Sequence, residues 1–209
     1  MMFDFFENNP LELEKNALIL YPNFFDKTRS DKYFIDLLGS VDWQQHYLTL
    51  YGQKIPFPRL MCWMGQQGAS YSFSGNTFQP LGWDSTVLSI KKELEEVLNT
   101  EFNSVLLNLY RNGQDSMSWH ADDEPELGAE PIIASVSLGA DRTFAWKPKY
   151  GGSSKKVTLP HGSLLVMKAH FQSQFLHALP KAKHVTHHRI NLTYRFIRPK
   201  GSTTAFFIK

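Results

Sequence analysis

The hydrophobic and polar positions of the chain follow one period before residue 100 and another after it. In the first half, apolar residues recur at helical spacing in two segments. A first helix is predicted from an Asp26 N-cap to Leu38, with Gly39 ending it. A second helix is predicted over 85–99, with Asp84 or Ser85 as its N-cap. Past residue 100 the pattern changes to short runs bounded by turn residues, which predicts strands near 104–110, 131–138, 142–147, 155–159, 163–168, 174–178 and 188–198.

These elements predict a mainly β domain with flanking helices. About seven short strands favour a jelly roll, the double-stranded β-helix, with the two helices buttressing one sheet. Residues 1–17 are expected to form a mobile or loosely docked acidic arm, residues 18–200 a single domain, and residues 201–209 a C-terminal tail. Residues 41–83 are rich in aromatic residues, Pro and Gly, and are expected to form loops and hairpins.

Composition narrows the class of protein without naming a function. A chain of 209 residues with 42% hydrophobic and 20% charged residues is typical of one soluble globular domain. Cys62 is the single cysteine, so a disulfide framework within the chain is excluded and a reducing compartment is favoured. The first residues lack the features of a signal peptide, and no apolar run has the length of a membrane span. We expect a cytoplasmic protein, or a nuclear one if the source is eukaryotic, with no membrane partner.

The charge is distributed unevenly along the chain. Residues 141–209 hold thirteen Lys and Arg and one acidic residue, whereas the preceding 140 residues hold nine basic and nineteen acidic ones. Such polarity favours a basic face that meets a polyanion, with phosphate backbones as the first candidate. The alternative is that the basic third is simply a solvated surface.

Candidate chemistry begins in the segment from Asn108 to Asp122. Asn108 and Tyr110 share one face of a predicted strand that ends at a turn signal. His120 and Asp122 are also two residues apart, so an imidazole and a carboxylate can converge on one point. These are two of the three ligands of the 2-His-1-carboxylate site of non-haem Fe(II) oxygenases. The spacing is weak on its own, because chance supplies a His-x-Asp match in this chain about as often as not.

The last predicted strand carries a row of polar side chains. Its strict alternation places Arg189, Asn191, Thr193 and Arg195 on one face, opposite an apolar face. The two arginines have no evident acidic partners in the sequence, and Arg binds carboxylates through paired hydrogen bonds. We therefore favour a clamp for an anionic ligand, against an amphipathic edge strand whose polar side faces water. The residues alone leave the third metal ligand open among His161, His170, His177, His184, His187 and His188.

Together these motifs resemble the AlkB family of Fe(II)/2-oxoglutarate dioxygenases. The resemblance rests on His120-x-Asp122, on a distal His-x-Leu-Pro-Lys that begins at His177, and on Arg189-x-Asn-x-Thr-x-Arg195. Three further runs, Asp122-Asp-Glu, Ser135-Val-Ser-Leu-Gly and His161-Gly-Ser-Leu-Leu-Val-Met, are similar to the nucleic-acid demethylases of that family. The likeness covers about residues 18–198.

The resemblance implies a ligand set and a reaction. Fe(II) would bind His120, Asp122 and His177, and 2-oxoglutarate would reach Arg189 and Arg195, with Arg189 favoured for the distal carboxylate. The remaining members of its pocket would be Asn108, Tyr110, Asn191 and Thr193. Dioxygen and 2-oxoglutarate would yield succinate, CO2 and an Fe(IV)-oxo species that hydroxylates an N-methyl group, after which formaldehyde is lost.

The same resemblance points to alkylated DNA or RNA as the substrate, with a lesion of the 1-methyladenine or 3-methylcytosine type, and we expect a monomer. A stacked base must be extruded before its methyl group reaches the metal. Tyr71 and Phe73 match aromatic residues of the family's substrate lid, here about residues 41–83, and Tyr51 stands at the position of a duplex wedge. Asp123 and Glu124 would favour a cationic base. The alternatives are hairpin packing for the aromatic pair and a solvated acidic turn for the two carboxylates.

Two other functions stay open from the sequence. One is a 2-oxoglutarate-dependent hydroxylase that acts on protein or on tRNA and shares the core but not the lid. The other is a non-catalytic jelly roll that binds nucleic acid. Dependence on iron and turnover of 2-oxoglutarate separate the enzymes from the binding module.

Overall fold

The computed structural model describes residues 9–73, 76–168 and 170–198, without the side chains of residues 71–73, 76 and 77. Strands dominate these ranges. They are β1 (Leu11–Glu14), β2 (Leu18–Tyr21), β3 (Tyr47–Leu50), β4 (Gln53–Pro56), β5 (Leu60–Gly65), β6 (Tyr71–Phe73), β7 (Asn76–Phe78), β8 (Ser104–Tyr110), β9 (Met117–His120), β10 (Ile133–Gly139), β11 (Arg142–Pro148), β12 (Lys155–Leu159), β13 (Ser163–Met167), β14 (Phe175–Leu179) and β15 (Arg189–Arg195). The helices are α1 (Lys27–Ser40), α2 (Ser85–Leu98) and the short α3 (Phe171–Gln174).

Two sheets form the jelly roll. The larger has the order β1-β2-β13-β10-β15-β8-β5, and the smaller has the order β12-β11-β14-β9. The lid region adds two separate hairpins, β3-β4 and β6-β7. The predicted fold class is confirmed, and so are the strand pattern past residue 100 and the hairpins of the lid. Three strands were not predicted: β1, in the segment expected to form an arm, β5, which lies inside the lid region and joins the large sheet, and β9, which ends at His120.

The central strands of the large sheet separate an apolar layer from a polar interior. Val105, Leu107 and Leu109 face the layer that holds Val87, Ile90 and Leu94 of α2 and Tyr33 and Leu37 of α1. The intervening residues of β8 face the second sheet. This is the period-2 alternation of a strand buried on both sides, and the two helices cover one face of the large sheet as the sequence predicts.

Both long helices begin where the sequence predicts. The carboxylate of Asp26 accepts from the backbone N–H of Arg29, and that of Asp84 accepts from Thr86 and Val87. The end of α1 was predicted wrongly, because the helix continues through Gly39 to Ser40. None of the helices in the described ranges has the length and apolar character that crossing a membrane requires.

The prediction of a mobile arm up to residue 17 is wrong from Leu11 onward. Leu11–Glu14 forms β1, the edge strand paired with β2. The Glu14 carboxylate accepts from the indole of Trp146 at 2.6 Å and from Lys155 at 2.7 Å, so the segment is tied to the small sheet as well. The alternating Leu-Glu-Leu-Glu run is short and lacks β-branched residues, which is why its propensity did not identify a strand.

Tyr194 provides a test of how the helix layer is attached to the large sheet. Its hydroxyl, at 0% exposure, donates to the carbonyl of Val87 in α2 at 2.8 Å. We expect Tyr194→Phe to lower the free energy of unfolding by about 1 kcal/mol and Tm by about 2–4 °C, since one buried hydrogen bond is lost. Denaturant unfolding measures the change. Tyr150→Phe, at a tyrosine that is 95% exposed, is the matched control and is expected to leave stability unaltered. Equal losses in the two variants would contradict this role of the hydroxyl.

Candidate active site

A cavity of about 60 Å³ lies between the two sheets. The large sheet contributes Leu106, Asn108, Tyr110, Ser135, Arg189, Asn191, Thr193 and Arg195 to its wall, and the small sheet and its loops contribute Met117, His120, Asp122, Phe144, His177, Ala178 and Leu179. The polar residues concentrate on β8 and β15, which are paired in the sheet with Asn191 opposite Asn108 and Arg189 opposite Tyr110. One wall is therefore a polar surface made by two adjacent strands.

Two histidines and one aspartate gather on the opposite wall. His120 ends β9, and its register partner on β14 is His177, so their rings lie 4.1 Å apart between centroids. Asp122 follows two residues after His120, with its Oδ1 3.5 Å from His120 Nε2. One ligand atom from each of the three residues lies within 4.8 Å of the others. The structure thus selects His177 from the six candidate histidines.

A hydrogen bond orients the imidazole of His120, and ring stacking orients that of His177. Nδ1 of His120 lies 2.8 Å from the carbonyl of Ser118, an acceptor only, so this nitrogen carries the proton and Nε2 keeps a free lone pair. Nδ1 of His177 is buried and lacks a hydrogen-bond partner among the described residues. The His177 ring stacks on Phe144 with centroids 5.4 Å apart. Both rings are therefore held in fixed orientations toward Asp122.

The charges on the cluster suit a metal ion. Burial alone would raise the pKa of Asp122, but the positive charge of Arg195 and the nearby His120 and His177 hold it well below its usual value. Burial, the charge of His120 and that of Arg195 lower the pKa of His177 to about 3 despite the opposing effect of Asp122. Asp122 is therefore ionised and His177 neutral at pH 7, the states in which they ligate metals. Two imidazole nitrogens and one carboxylate oxygen fit Fe(II), and such a triad leaves metal positions open for other ligands.

Two residues far away in sequence hold Asp122 in place. Arg195 Nη2 donates to Asp122 Oδ2 at 2.6 Å, in a pair that is 4% and 5% exposed. Gln172, on α3, accepts the backbone N–H of Asp122 through Oε1 at 2.9 Å. The expectation that neither clamp arginine has an acidic partner is thus wrong for Arg195, which is committed to the metal-binding carboxylate.

Arg189 is the arginine that remains for an anion. It is 2% exposed, its Nη2 donates to Ser137 Oγ at 2.9 Å, and its Nε lacks a hydrogen-bond partner in the part of the chain that the structure describes. It also donates to the side chain of Tyr110, and its guanidinium carbon lies 5.3 Å from the centre of that ring. A buried cation without a carboxylate partner in the described ranges is costly, which favours an anionic ligand at this end of the cavity.

The remaining polar residues of this wall differ in what they can donate. Asn108 Oδ1 accepts from Arg59 Nε at 2.8 Å, which leaves its amide hydrogens for a ligand. Asn191 donates from Nδ2 to Ser135 Oγ at 2.8 Å and to the Val136 carbonyl at 3.0 Å, so both of its amide hydrogens are used. Thr193 donates to Asn191 Oδ1 at 3.0 Å. Asn191 and Thr193 therefore line the pocket as a self-paired unit, and only Asn108 retains free donors.

Three of the residues predicted to bind substrate, Tyr51, Asp123 and Glu124, are not among the residues that line the cavity. Tyr51 is 97% exposed at the β3-β4 turn, with a positive φ of 50° that precedes Gly52 at 77°. The Asp123 carboxylate accepts from Lys149 at 2.7 Å and is 58% exposed. Glu124 has a buried carboxylate oxygen and lies before the turn at 125–127. Tyr71 is the first and Phe73 the last residue of β6, and their side chains lie outside the part that the structure describes.

Sequence reasoning missed three residues that support the site: Arg59, Gln172 and Arg142. Arg59 and Arg142 are 2% and 1% exposed, and Gln172 is 3% exposed. The signal for Arg59 is a single cation next to the apolar run Leu60-Met-Cys-Trp-Met, where a solvated arginine is unexpected. Gln172 carries no such signal, because its partner is a backbone N–H 50 residues away.

Comparison with known proteins agrees with this geometry. The model of the 2OG-Fe(II) oxygenase superfamily matches residues 17–195. The alpha-ketoglutarate-dependent dioxygenase alkB homolog 3 of Homo sapiens is 39% identical over 196 residues, across 88% of this chain and 67% of the relative. The DNA oxidative demethylase ALKBH2 of Homo sapiens is 35% identical over 188 residues, across 85% of this chain and 72% of the relative.

A solved structure, described as the structure of OsALKBH1, shares the fold. It superposes with a TM-score of 0.63 at 16% identity and covers 86% of this chain and 96% of its own. At that identity the likeness concerns the jelly roll alone. The superfamily match and the relatives above 30% identity establish more: the chain belongs to the AlkB family of the 2OG-Fe(II) oxygenases.

Proposed function

We propose that this protein is an oxidative demethylase of N-alkylated bases in nucleic acid, with lesions of the 1-methyladenine and 3-methylcytosine type. One observation carries the proposal: His120, Asp122 and His177 converge within 4.8 Å on one wall of a cavity whose other wall presents the unsatisfied Arg189. A divalent metal and a dicarboxylic 2-oxo acid are the ligands that this pair of walls suits. The names of two relatives, both dioxygenases and one a DNA oxidative demethylase, support the same activity.

When bound, Fe(II) and 2-oxoglutarate supply the oxidation of the methyl group by dioxygen, after which the hydroxymethyl product loses formaldehyde. The residues of this chain would bind the metal and the co-substrate and orient them. His120, Asp122 and His177 would hold the metal from one side and leave its other positions open. Arg189 and the Tyr110 hydroxyl would hold the distal carboxylate, with the Asn108 amide as a further donor. Arg195 keeps Asp122 ionised and aimed at the metal.

The proposed surface for nucleic acid is supported by residues outside the cavity. Three of the thirteen basic residues in 141–209 are buried, namely Arg142, Arg189 and Arg195. Among the others that the structure describes, Lys155, Lys156, Lys181, Lys183 and Arg198 are exposed, which supports a basic surface. Lys149 already pairs with Asp123, so a cationic base that used Asp123 would have to displace a lysine. The exposure of Tyr51 on a hairpin turn supports a contact with the nucleic acid. We infer a monomer that acts in the cytoplasm, or in the nucleus of a eukaryotic cell.

Two alternatives stay as outcomes of the experiments. A hydroxylase acting on protein or tRNA would turn over 2-oxoglutarate with peptides or tRNA and leave methylated oligonucleotides unchanged. A non-catalytic jelly roll would bind nucleic acid with no dependence on iron or 2-oxoglutarate. The convergence of His120, Asp122 and His177 on one point disfavours the non-catalytic jelly roll.

Formaldehyde release from a 1-methyladenine oligonucleotide tests the proposed reaction. With Fe(II), 2-oxoglutarate and oxygen, we expect release from wild-type protein and none above background from His120→Ala or Asp122→Ala, because each variant removes a metal ligand. His184→Ala, at an exposed histidine, is the matched control and is expected to keep full activity. Wild-type turnover in His120→Ala, or release from methylated peptides alone, would contradict the assignment.

Substitutions of the two arginines of β15 are expected to weaken the binding of different ligands. Arg189→Met removes the cation that faces the distal carboxylate, so the Kd for 2-oxoglutarate is expected to rise about 100-fold while the Kd for Mn²⁺ stays within about twofold. Arg195→Met frees Asp122, so Mn²⁺ affinity is expected to fall about tenfold or more. Calorimetry without oxygen measures both constants. The opposite pattern would exchange the roles of the two residues.

Tyr71 tests the lid. If its ring stacks on the extruded base, Tyr71→Ala is expected to lower kcat/KM for the oligonucleotide about tenfold, because a stacking contact is worth about 1–3 kcal/mol. Uncoupled consumption of 2-oxoglutarate without nucleic acid is expected to stay at the wild-type rate. Tyr71→Phe preserves the ring and serves as the control. A loss of both rates in Tyr71→Ala would assign the side chain to folding of the domain rather than to the substrate.

A further inference from the structure

A second buried arginine stands behind the anion pocket and is not part of its wall. Arg142 is the first residue of β11 and is 1% exposed. Its Nη2 donates to the carbonyls of Asp115 and Pro180, each at 2.8 Å, and its Nη1 to the carbonyl of Asn112 at 3.3 Å. Its Nε has no hydrogen-bond partner within the described residues. Its contacts are thus neutral carbonyl groups, and its full positive charge is retained inside the fold.

The ring of Tyr110 lies between this charge and that of Arg189. The guanidinium carbon of Arg142 is 5.7 Å from the Tyr110 ring centre, and that of Arg189 is 5.3 Å from it. Arg142 acts on Arg189: burial lowers the pKa of Arg189 to about 10, and the charge of Arg142 contributes to that shift. Like charges held together in a buried place destabilise the unliganded protein.

The nearest carboxylate does not compensate both cations. Asp115 lies in the loop that Arg142 holds, but its two oxygens are bound by Arg111, at 2.8 and 2.9 Å. Asp122, on the metal side, is bound by Arg195. Within the described ranges, therefore, the Arg142–Tyr110–Arg189 stack keeps a surplus of positive charge at one end of the cavity. A ligand with a carboxylate at its far end is what would offset it.

We propose that Arg142 is a selectivity residue for the co-substrate: through Tyr110 it makes the pocket prefer a 2-oxo acid that carries a second, distal carboxylate. This deepens the proposed function and rests on it. The residue does not touch the acid. It acts by fixing the Tyr110 ring and by adding a second positive charge behind Arg189, in a region where water is excluded and charges interact strongly.

A purely structural role is the competing explanation, because Arg142 also ties the 112–115 loop to Pro180. Two substitutions separate these roles. Arg142→Gln removes the charge but keeps an amide that donates to carbonyls, and Arg142→Lys keeps the charge with fewer donors. Lys156→Gln is the control, since it removes an exposed cation of β12 that is not among the residues lining the cavity.

The measurement compares two acids of equal length on each protein. Calorimetry on the Mn²⁺-loaded protein, without oxygen, gives Kd for 2-oxoglutarate and for 2-oxopentanoate, which lacks the distal carboxylate. We expect Arg142→Gln to raise the Kd for 2-oxoglutarate about tenfold and the Kd for 2-oxopentanoate less than about twofold. We expect Arg142→Lys and Lys156→Gln to keep the wild-type ratio of the two constants within about threefold. Because the ratio is taken within one protein, a fraction of misfolded molecules cancels.

Each outcome decides the matter. The selectivity is the Kd for 2-oxopentanoate divided by the Kd for 2-oxoglutarate. A selectivity that falls in Arg142→Gln and keeps its wild-type value in Arg142→Lys supports the proposal. Parallel weakening of both acids, or an unchanged ratio in Arg142→Gln, overturns it and assigns Arg142 to loop structure. The proposed function fails separately, if wild-type protein binds 2-oxoglutarate selectively yet releases no formaldehyde from methylated oligonucleotides.

Discussion

The buried ion pair between Arg195 and Asp122 is the interaction on which the site depends. It joins the last strand of the large sheet to the loop that follows β9 of the small sheet, across 73 residues of sequence. Both side chains are nearly inaccessible, and such a pair stabilises a protein only when its geometry and remaining hydrogen bonds are good. Here the second support is Gln172, which accepts the Asp122 N–H. Without these two contacts the carboxylate would have no fixed position between the sheets.

The polar interior of the roll follows from the same two-sheet geometry. Strands β8 and β15 each present apolar residues to the helices and polar residues to the cavity, because side chains alternate along a strand. The interior contains Arg59, Arg142, Arg189 and Arg195, each nearly inaccessible to solvent, against the buried Asp115 and Asp122. This surplus of positive charge has a thermodynamic consequence. A dianionic ligand that binds the folded state offsets the charge, and by linkage it stabilises the fold as it binds.

The sequence predicted what depends on neighbouring residues and missed what depends on distant ones. The caps Asp26 and Asp84 act on residues two or three positions later, so local chemistry identified both. The faces of β8 and β15 followed from alternation. The Arg195–Asp122 pair, in contrast, required knowing that the start of one loop meets the end of a strand far along the chain. Asp123 illustrates the same limit, since its partner Lys149 is 26 residues away and shares no local pattern with it.

The arginines of the C-terminal third also change the meaning of its charge. As sequence, the thirteen basic residues of 141–209 looked like one surface for a polyanion. The fold divides them, because β11 and β15 carry Arg142, Arg189 and Arg195 inward, and Lys149 and Lys155 are engaged by Asp123 and Glu14. The basic residues of a charged segment can therefore lie in two places. They can form a solvated face that attracts phosphates over a Debye length, or they can line a dry cavity that holds one small anion. Three arginines of this third, Arg142, Arg189 and Arg195, lie in the dry interior, where planar, paired donors matter, whereas Arg198 is exposed. Exposed lysines such as Lys155 and Lys156 provide a hydrated point charge at the surface.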